Sequence, residues 1–152
     1  MITSIFIGNF DSVEAFNDVF IERPLSECYD FENDERTKPS TVLGEMYGFD
    51  WFDDDLLDCF YGDRKPPEEF FEYLFQNLPD SKTKYWNKNI IKQALEHCDL
   101  NDIKEVNSVL YIGRMKPHSI KKNKYKKIEQ EWSIMYCGSY DEDTNEEIFH
   151  KP

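Results

Sequence analysis

Five aspartates, Asp50, Asp53, Asp54, Asp55 and Asp58, crowd into nine residues of the chain. Carboxylates at that density can hold a hard cation, share a proton as an acid–base pair, or face a cationic partner. A calcium loop needs acids at alternating positions, a central glycine and a closing glutamate. Here Phe52, Leu56 and Leu57 interrupt the series, and no glycine lies inside it. No metal site is therefore expected. A glycosidase-type pair needs a defined separation between two carboxyls in different environments. With 31 acidic residues in the chain, chance pairs are easy and spacing selects none of them.

The thiols and imidazoles point no more strongly to chemistry. Cys28, Cys59, Cys98 and Cys137 are far apart, and no two form the close pair of a zinc framework. In a reducing compartment they read as four free thiols, mostly buried. His97 precedes Cys98, so the two should point to different sides of a helix, and His118 and His150 fall in connecting segments. The sequence thus predicts no catalytic residues and no cofactor. The alternative is a small hydrolase with a carboxylate or Cys–His site, in which Cys98 or Cys59 meets His97 and an acid.

Recognition is the better use for the acidic run. Residues 49–63 hold six carboxylates and five aromatic rings. Rings favour burial and carboxylates resist it unless paired. Such a segment either turns its rings to the core and its acids to water, or presents both to a partner. The partner-binding residues expected here are Trp51, Asp53, Asp54, Asp55, Asp58 and Tyr61, with Asp50 and Asp63 at the rim. Net charge follows the same division. Residues 1–80 carry twenty acids and five bases, a net −15, whereas residues 81–152 carry a net +2. An acidic half repels nucleic-acid phosphates and attracts basic proteins, although a charged surface also serves solubility. The lysines between Lys121 and Lys127 resemble a nucleic-acid patch. The neighbouring acids and the charge of the whole chain favour a solvated linker instead.

The elements that must position these residues follow from patterning. A length of 152 residues with 16% aromatics suits one domain, 1–152, with a substantial core. No apolar run reaches the roughly 20 residues of a membrane span. Met1 to Ser4 lack the basic and apolar regions of a signal peptide, so the cytosol is the expected address. Thr3–Phe10 is apolar without clean alternation, as in a strand covered on both faces. Asp11 offers a helix cap ahead of the stripe Val13, Phe16, Phe20, and Pro24 ends that helix. Residues 26–40 read as an exposed polar loop. Ser40 caps a short helix through Met46 that stops at Gly48. The spacing of Phe52, Leu56 and Phe60 predicts a helix in the acidic stretch. Pro66-Pro67-Glu68-Glu69 starts another, with Phe70, Phe71, Leu74 and Phe75 facing in. A further helix starts at Ser81 or Thr83 and runs past Cys98. Val106–Met115 and Trp132–Tyr140 read as strands that pair antiparallel, joined by the basic connector 116–127. The acidic tail 141–152 is expected to fray in part. Gly8, Gly113 and Gly138 near the strand ends point to bulges or close backbone approach. The expected fold is α+β: a small mixed or antiparallel sheet of about three or more strands, with several helices packed on it.

Several short motifs give the chain a family likeness. Ser4-Ile5-Phe6-Ile7-Gly8-Asn9-Phe10, followed by Ser12 and Glu14, resembles the opening of the bacterial immunity protein 22 family. The likeness extends to Tyr47-Gly48-Phe49-Asp50, Asn107-Ser108-Val109-Leu110-Tyr111 and Tyr136-Cys137-Gly138-Ser139-Tyr140. It implies a non-enzymatic antitoxin of a polymorphic or contact-dependent growth inhibition system, working in the bacterial cytoplasm. Its implied partner is a cognate toxin's C-terminal effector domain, a basic RNase or DNase, which it blocks at the active site. Direct contact with nucleic acid or membrane is not part of that picture. The 26–40 loop and the basic connector would be additions to the family pattern.

Overall fold

The computed structural model describes residues 2–48, 52, 54–79, 88–114, 126–128, 132–141, 143–144 and 146–148. Strand β1 (Ile2–Phe10) forms the middle of the fold. It pairs antiparallel with β5 (Val106–Gly113) on one side and with β7 (Trp132–Asp141) on the other. Strand β4 (Leu57–Lys65) lies beyond β5 and closes that end of the sheet. Strands β6 (Lys126–Ile128) and β8 (Glu146–Ile148) pair with opposite ends of β7. The six strands give the order β4-β5-β1-β7-β6, with β8 also on β7.

Both faces of this sheet are covered, which explains the unbroken apolar strands. Ile5, Ile7, Val109, Tyr111, Met135 and Cys137 face one way. They pack against α4 (Pro67–Asn77) and α5 (Lys88–Leu100) through Phe70, Phe71, Leu74, Ile90, Ala94 and Cys98. Phe6, Phe10, Leu110, Ile112, Ile134 and Tyr136 face the other way. They pack against α1 (Val13–Phe20) and α3 (Val42–Tyr47) through Phe16, Val19, Leu43, Met46 and Tyr47. The result is a single α+β domain of three layers, helix, sheet and helix.

Local signals set the helix ends. Ser12, not Asp11, caps α1, its side chain accepting from the Ala15 N–H. Thr41, not Ser40, caps α3 by accepting from the Gly44 N–H, and Gly48 ends that helix in a left-handed conformation with φ 83°. Pro67 opens α4 with Glu68 and Glu69 in its first turn. Phe16 and Val19 carry the buried stripe of α1, whereas Val13 is 44% exposed. The start expected for α5, at Ser81 or Thr83, lies outside the described residues.

Three other expectations are corrected, and the partial fraying expected of the acidic tail is narrowed. The strands Val106–Gly113 and Trp132–Asp141 do not pair with each other, because β1 lies between them and bonds to both. Residues 26–40 are not a plain loop. They contain a short helix, α2 (Leu25–Cys28), and a hairpin of β2 (Tyr29–Asp30) and β3 (Glu35–Arg36). The end of the basic connector is a strand, β6. Part of the acidic tail is ordered as β8, with Glu146–Ile148 paired to Ser139–Asp141.

Two glycines serve the sheet as their positions foretold. Gly138 has φ 131° and sits where the β1–β7 register skips a residue, Ile5 pairing with Gly138 but Phe6 with Tyr136. Gly8 lies between Ser108 and Ile134 on its two neighbouring strands. A Cβ there would stand 2.4 Å from the Phe10 ring and 3.0 Å from both Ser108 Oγ and the Ser133 carbonyl oxygen. Beyond Gly8 the Asn107 side chain completes the β1–β5 ladder. It accepts from the Phe10 N–H at 3.0 Å and donates to the Phe10 carbonyl at 2.7 Å. Gly8→Ala should therefore destabilise the fold by about 1–3 kcal/mol, the usual cost of overpacking a filled core. The urea midpoint should fall with an unchanged slope.

Candidate functional site

The acidic stretch does not fold as a helix. Asp54–Leu56 form a single 3₁₀ turn, and residues 57–65 run on as β4. The side chains show why. Leu57, Cys59 and Tyr61 pack on the α1/α3 side of the sheet, and Phe60 packs on the α4/α5 side, which is the two-residue period of a strand. Phe52 is 4% exposed in the same cluster as Phe6 and Tyr47. The described rings are thus largely drawn into the core. Tyr61 is half-buried and stacks on Phe16 at 5.5 Å, and Phe60 lies 6.3 Å from Phe70 and 6.0 Å from Tyr73.

The carboxylates divide differently. Asp55 and Asp63 are exposed, and Asp58 is half-buried with its Oδ1 accepting from the Cys59 N–H at 2.9 Å. Asp54 lies in the 3₁₀ turn, while Asp50, Trp51 and Asp53 fall outside the described residues. Beside Asp63, the Arg64 guanidinium pairs with Asp11 and donates to Asn9 Oδ1 at 2.8 Å, and Lys65 lies over the Tyr73 ring at 5.1 Å. The two bases of this strand are therefore engaged by the protein itself. Because β4 ends the sheet, its exposed acids also discourage edge-to-edge pairing with other chains.

A second acidic and aromatic element was not legible as such in the sequence. The β2–β3 hairpin carries Tyr29, Asp30, Phe31, Glu32, Asp34 and Glu35, and Glu27 directly precedes it. The Asn33-Asp34 pair at its turn, with Asp34 at φ 51°, was the available signal.

The two cysteines considered for a Cys–His site are placed apart. Cys59 belongs to the cluster on one face of the sheet and Cys98 to the cluster on the other. His97 and Cys98 are both buried. Cys98 lies in the floor of a groove of about 440 Å³ between the first turn of α4 and the end of α5, with Glu68, Glu69, Asp99, Leu95 and Ile103 around it. Burial, and then the Asp99 charge, push its thiol up to about 12. Burial likewise holds Cys137 well above the ordinary range, reinforced by Cys98. A neutral thiol is a poor nucleophile. All four cysteines are free, with Cys28, Cys98 and Cys137 buried and Cys59 partly so. Among the described residues no group of three or more His, Cys, Asp or Glu side chains is arranged to hold a metal ion. None of the described helices is long and apolar enough to cross a membrane.

No family model matches this chain, and neither a curated protein nor a solved structure matches it. The likeness to the immunity protein 22 family therefore rests on the short motifs alone. Three of them lie side by side as the central strands β5, β1 and β7. They speak to how the sheet is built and are silent about what the protein binds.

The buried groups set an alkaline limit. Tyr136 is pushed by burial up to about 12, its hydroxyl lying 2.6 Å from Ser139 Oγ in a buried cluster with Ser4. Cys98 and Tyr136 ionise near 9.0 and 10.0 when unfolded but near 12 when folded. The unfolded state therefore loses protons first, so stability is intact below pH ~9 and is lost as pH rises toward ~12. Urea titrations across that window should show the midpoint falling steadily. At pH ~8, iodoacetamide should spare Cys28, Cys98 and Cys137 until the chain unfolds.

Proposed function

We propose that this chain is a non-enzymatic immunity protein that binds and neutralises the basic effector domain of a cognate toxin in the bacterial cytoplasm. The observation that carries the reading is the net −15 of residues 1–80, with acids of residues 49–63 set out on a turn and on the last strand of the sheet. A nuclease effector domain needs a cationic cleft for phosphate, and an acidic surface of this kind fits over it. Complementary charge speeds encounter and penalises wrong partners. The buried thiol of Cys98, which burial keeps protonated, supports binding over a thiol-based hydrolysis.

The test is protection in cells. Basic RNase and DNase effector domains of polymorphic toxins are each expressed with the wild-type chain or with an Asp53→Lys/Asp54→Lys/Asp55→Lys variant. The wild type should rescue growth, and the variant should lose protection while keeping its thermal melt. In vitro its association rate should fall at least about tenfold, with a flatter salt dependence. Full protection by a folded triple variant would remove this face from the interface.

A further inference from the structure

Steering and grip are separable parts of an interface. Charge sets the encounter rate, whereas buried aromatic anchors slow release. The described part of the acidic stretch supplies charge, but its rings are largely spent on the core. The most exposed phenylalanine among the described residues lies elsewhere. Phe31, at the turn of the β2–β3 hairpin, is 66% exposed. A turn position is served as well by a small polar residue, so the turn itself does not require a ring there. Its Tyr29 neighbour lies 5.1 Å away at an interplanar angle of 60°.

The hairpin is held in shape and fixed to the domain at its base. Asp30 accepts from the N–H groups of Glu32 at 3.0 Å and Asn33 at 3.3 Å, and from Asn33 Nδ2 at 2.8 Å. Those bonds hold its carboxyl below the usual range, so it stays charged. The Tyr29 hydroxyl donates to Asp34. At the base, the Thr37 N–H donates to the Cys28 carbonyl at 3.0 Å, and Cys28 is fully buried. Arg23 clamps the two ends of this excursion. Its Nη1 donates to the Pro39 carbonyl at 2.8 Å, its N–H donates to the Ser40 carbonyl at 2.7 Å, and Nη2 pairs with Glu45. A preformed finger loses little freedom on docking. Glu27, Glu32, Asp34 and Glu35 flank Phe31 in the sequence and are all exposed.

We propose that the β2–β3 hairpin is the anchoring finger of the interface. Phe31 enters an apolar pocket on the effector domain, and Lys or Arg side chains at the pocket rim meet Glu27, Glu32 and Glu35. The proposal rests on the immunity reading above and names the second contact surface within it. Charge selects this occupant. Nucleic acid and anionic lipid would be repelled by the surrounding carboxylates, and a second copy would bring a net charge of −13.

The probe is the purified basic effector domain against which the wild-type chain protects cells, titrated against the full chain by calorimetry and by surface kinetics. Phe31→Ala should weaken binding at least about tenfold, mainly through faster dissociation. Glu32→Lys/Glu35→Lys should slow association and reduce its salt dependence. Phe75→Ala, at a ring 48% exposed on α4, should stay within about twofold of wild type and controls for loss of any exposed ring. Thermal melts of all three should match the wild type, since the replaced side chains are exposed. If wild type binds but both hairpin variants bind equally well, the finger is refuted and the immunity reading stands. If wild type does not bind the effector domain, both fall together.

Discussion

Strand β1 is the member on which the rest depends. It bonds to β5 along one edge and to β7 along the other, and its side chains alternate into two separate cores. Ile5 and Ile7 reach the layer of α4 and α5, and Phe6 and Phe10 reach the layer of α1 and α3. Removing water from both faces of one strand is the hydrophobic effect at its most concentrated. It also leaves no spare room. Gly8 is tight against both flanking strands, and the bulge at Cys137 and Gly138 lets β7 follow β1 past the turn in register.

Much of this was written locally. The lack of alternation in Thr3–Phe10 predicts a strand covered twice, and β1 is one. The two prolines and two glutamates at 66–69 predict a helix start, and α4 begins there. The cap assignments missed by one residue at Asp11 and Ser40 for a simple reason. In each case a second cap-forming residue follows directly, and only geometry decides which side chain reaches back to the N–H three residues on. Strand order was not legible. That Val106–Gly113 and Trp132–Asp141 are separated by β1 follows from which edges gain most by pairing, a property of distant segments.

The acidic stretch failed for a subtler reason. Phe52, Leu56 and Phe60 are spaced by four, and four is close to a helical turn but is also a whole number of strand periods. The deciding pattern was Leu57, Cys59 and Tyr61, alternating with Asp58 and Phe60. The charges of the candidate site were thus legible, and so was their preference for water at Asp55 and Asp63. The use of its rings was not. Conversely, the polar composition of residues 26–40 concealed a hairpin, because two-residue strands are too short to show a period.

The division of labour that results bears on how such a protein changes. Described rings of the middle region hold the sheet to its helices, while Asp63 on the last strand and Glu32 and Glu35 on the hairpin are exposed. The two sets are interleaved in sequence but separate in space. A side chain that touches only solvent can be replaced at little cost to stability, usually within about 0.5 kcal/mol. Glu27, Glu32, Glu35 and Asp63, all exposed, are therefore positions that can change at little cost while β1, β5 and β7 stay as they are. Specificity between partners is a difference of affinities, and repulsive mismatches at such exposed positions create it as readily as new attractions do. A chain built this way keeps its core sequence under tight steric constraint and leaves its exposed acidic positions almost free of it.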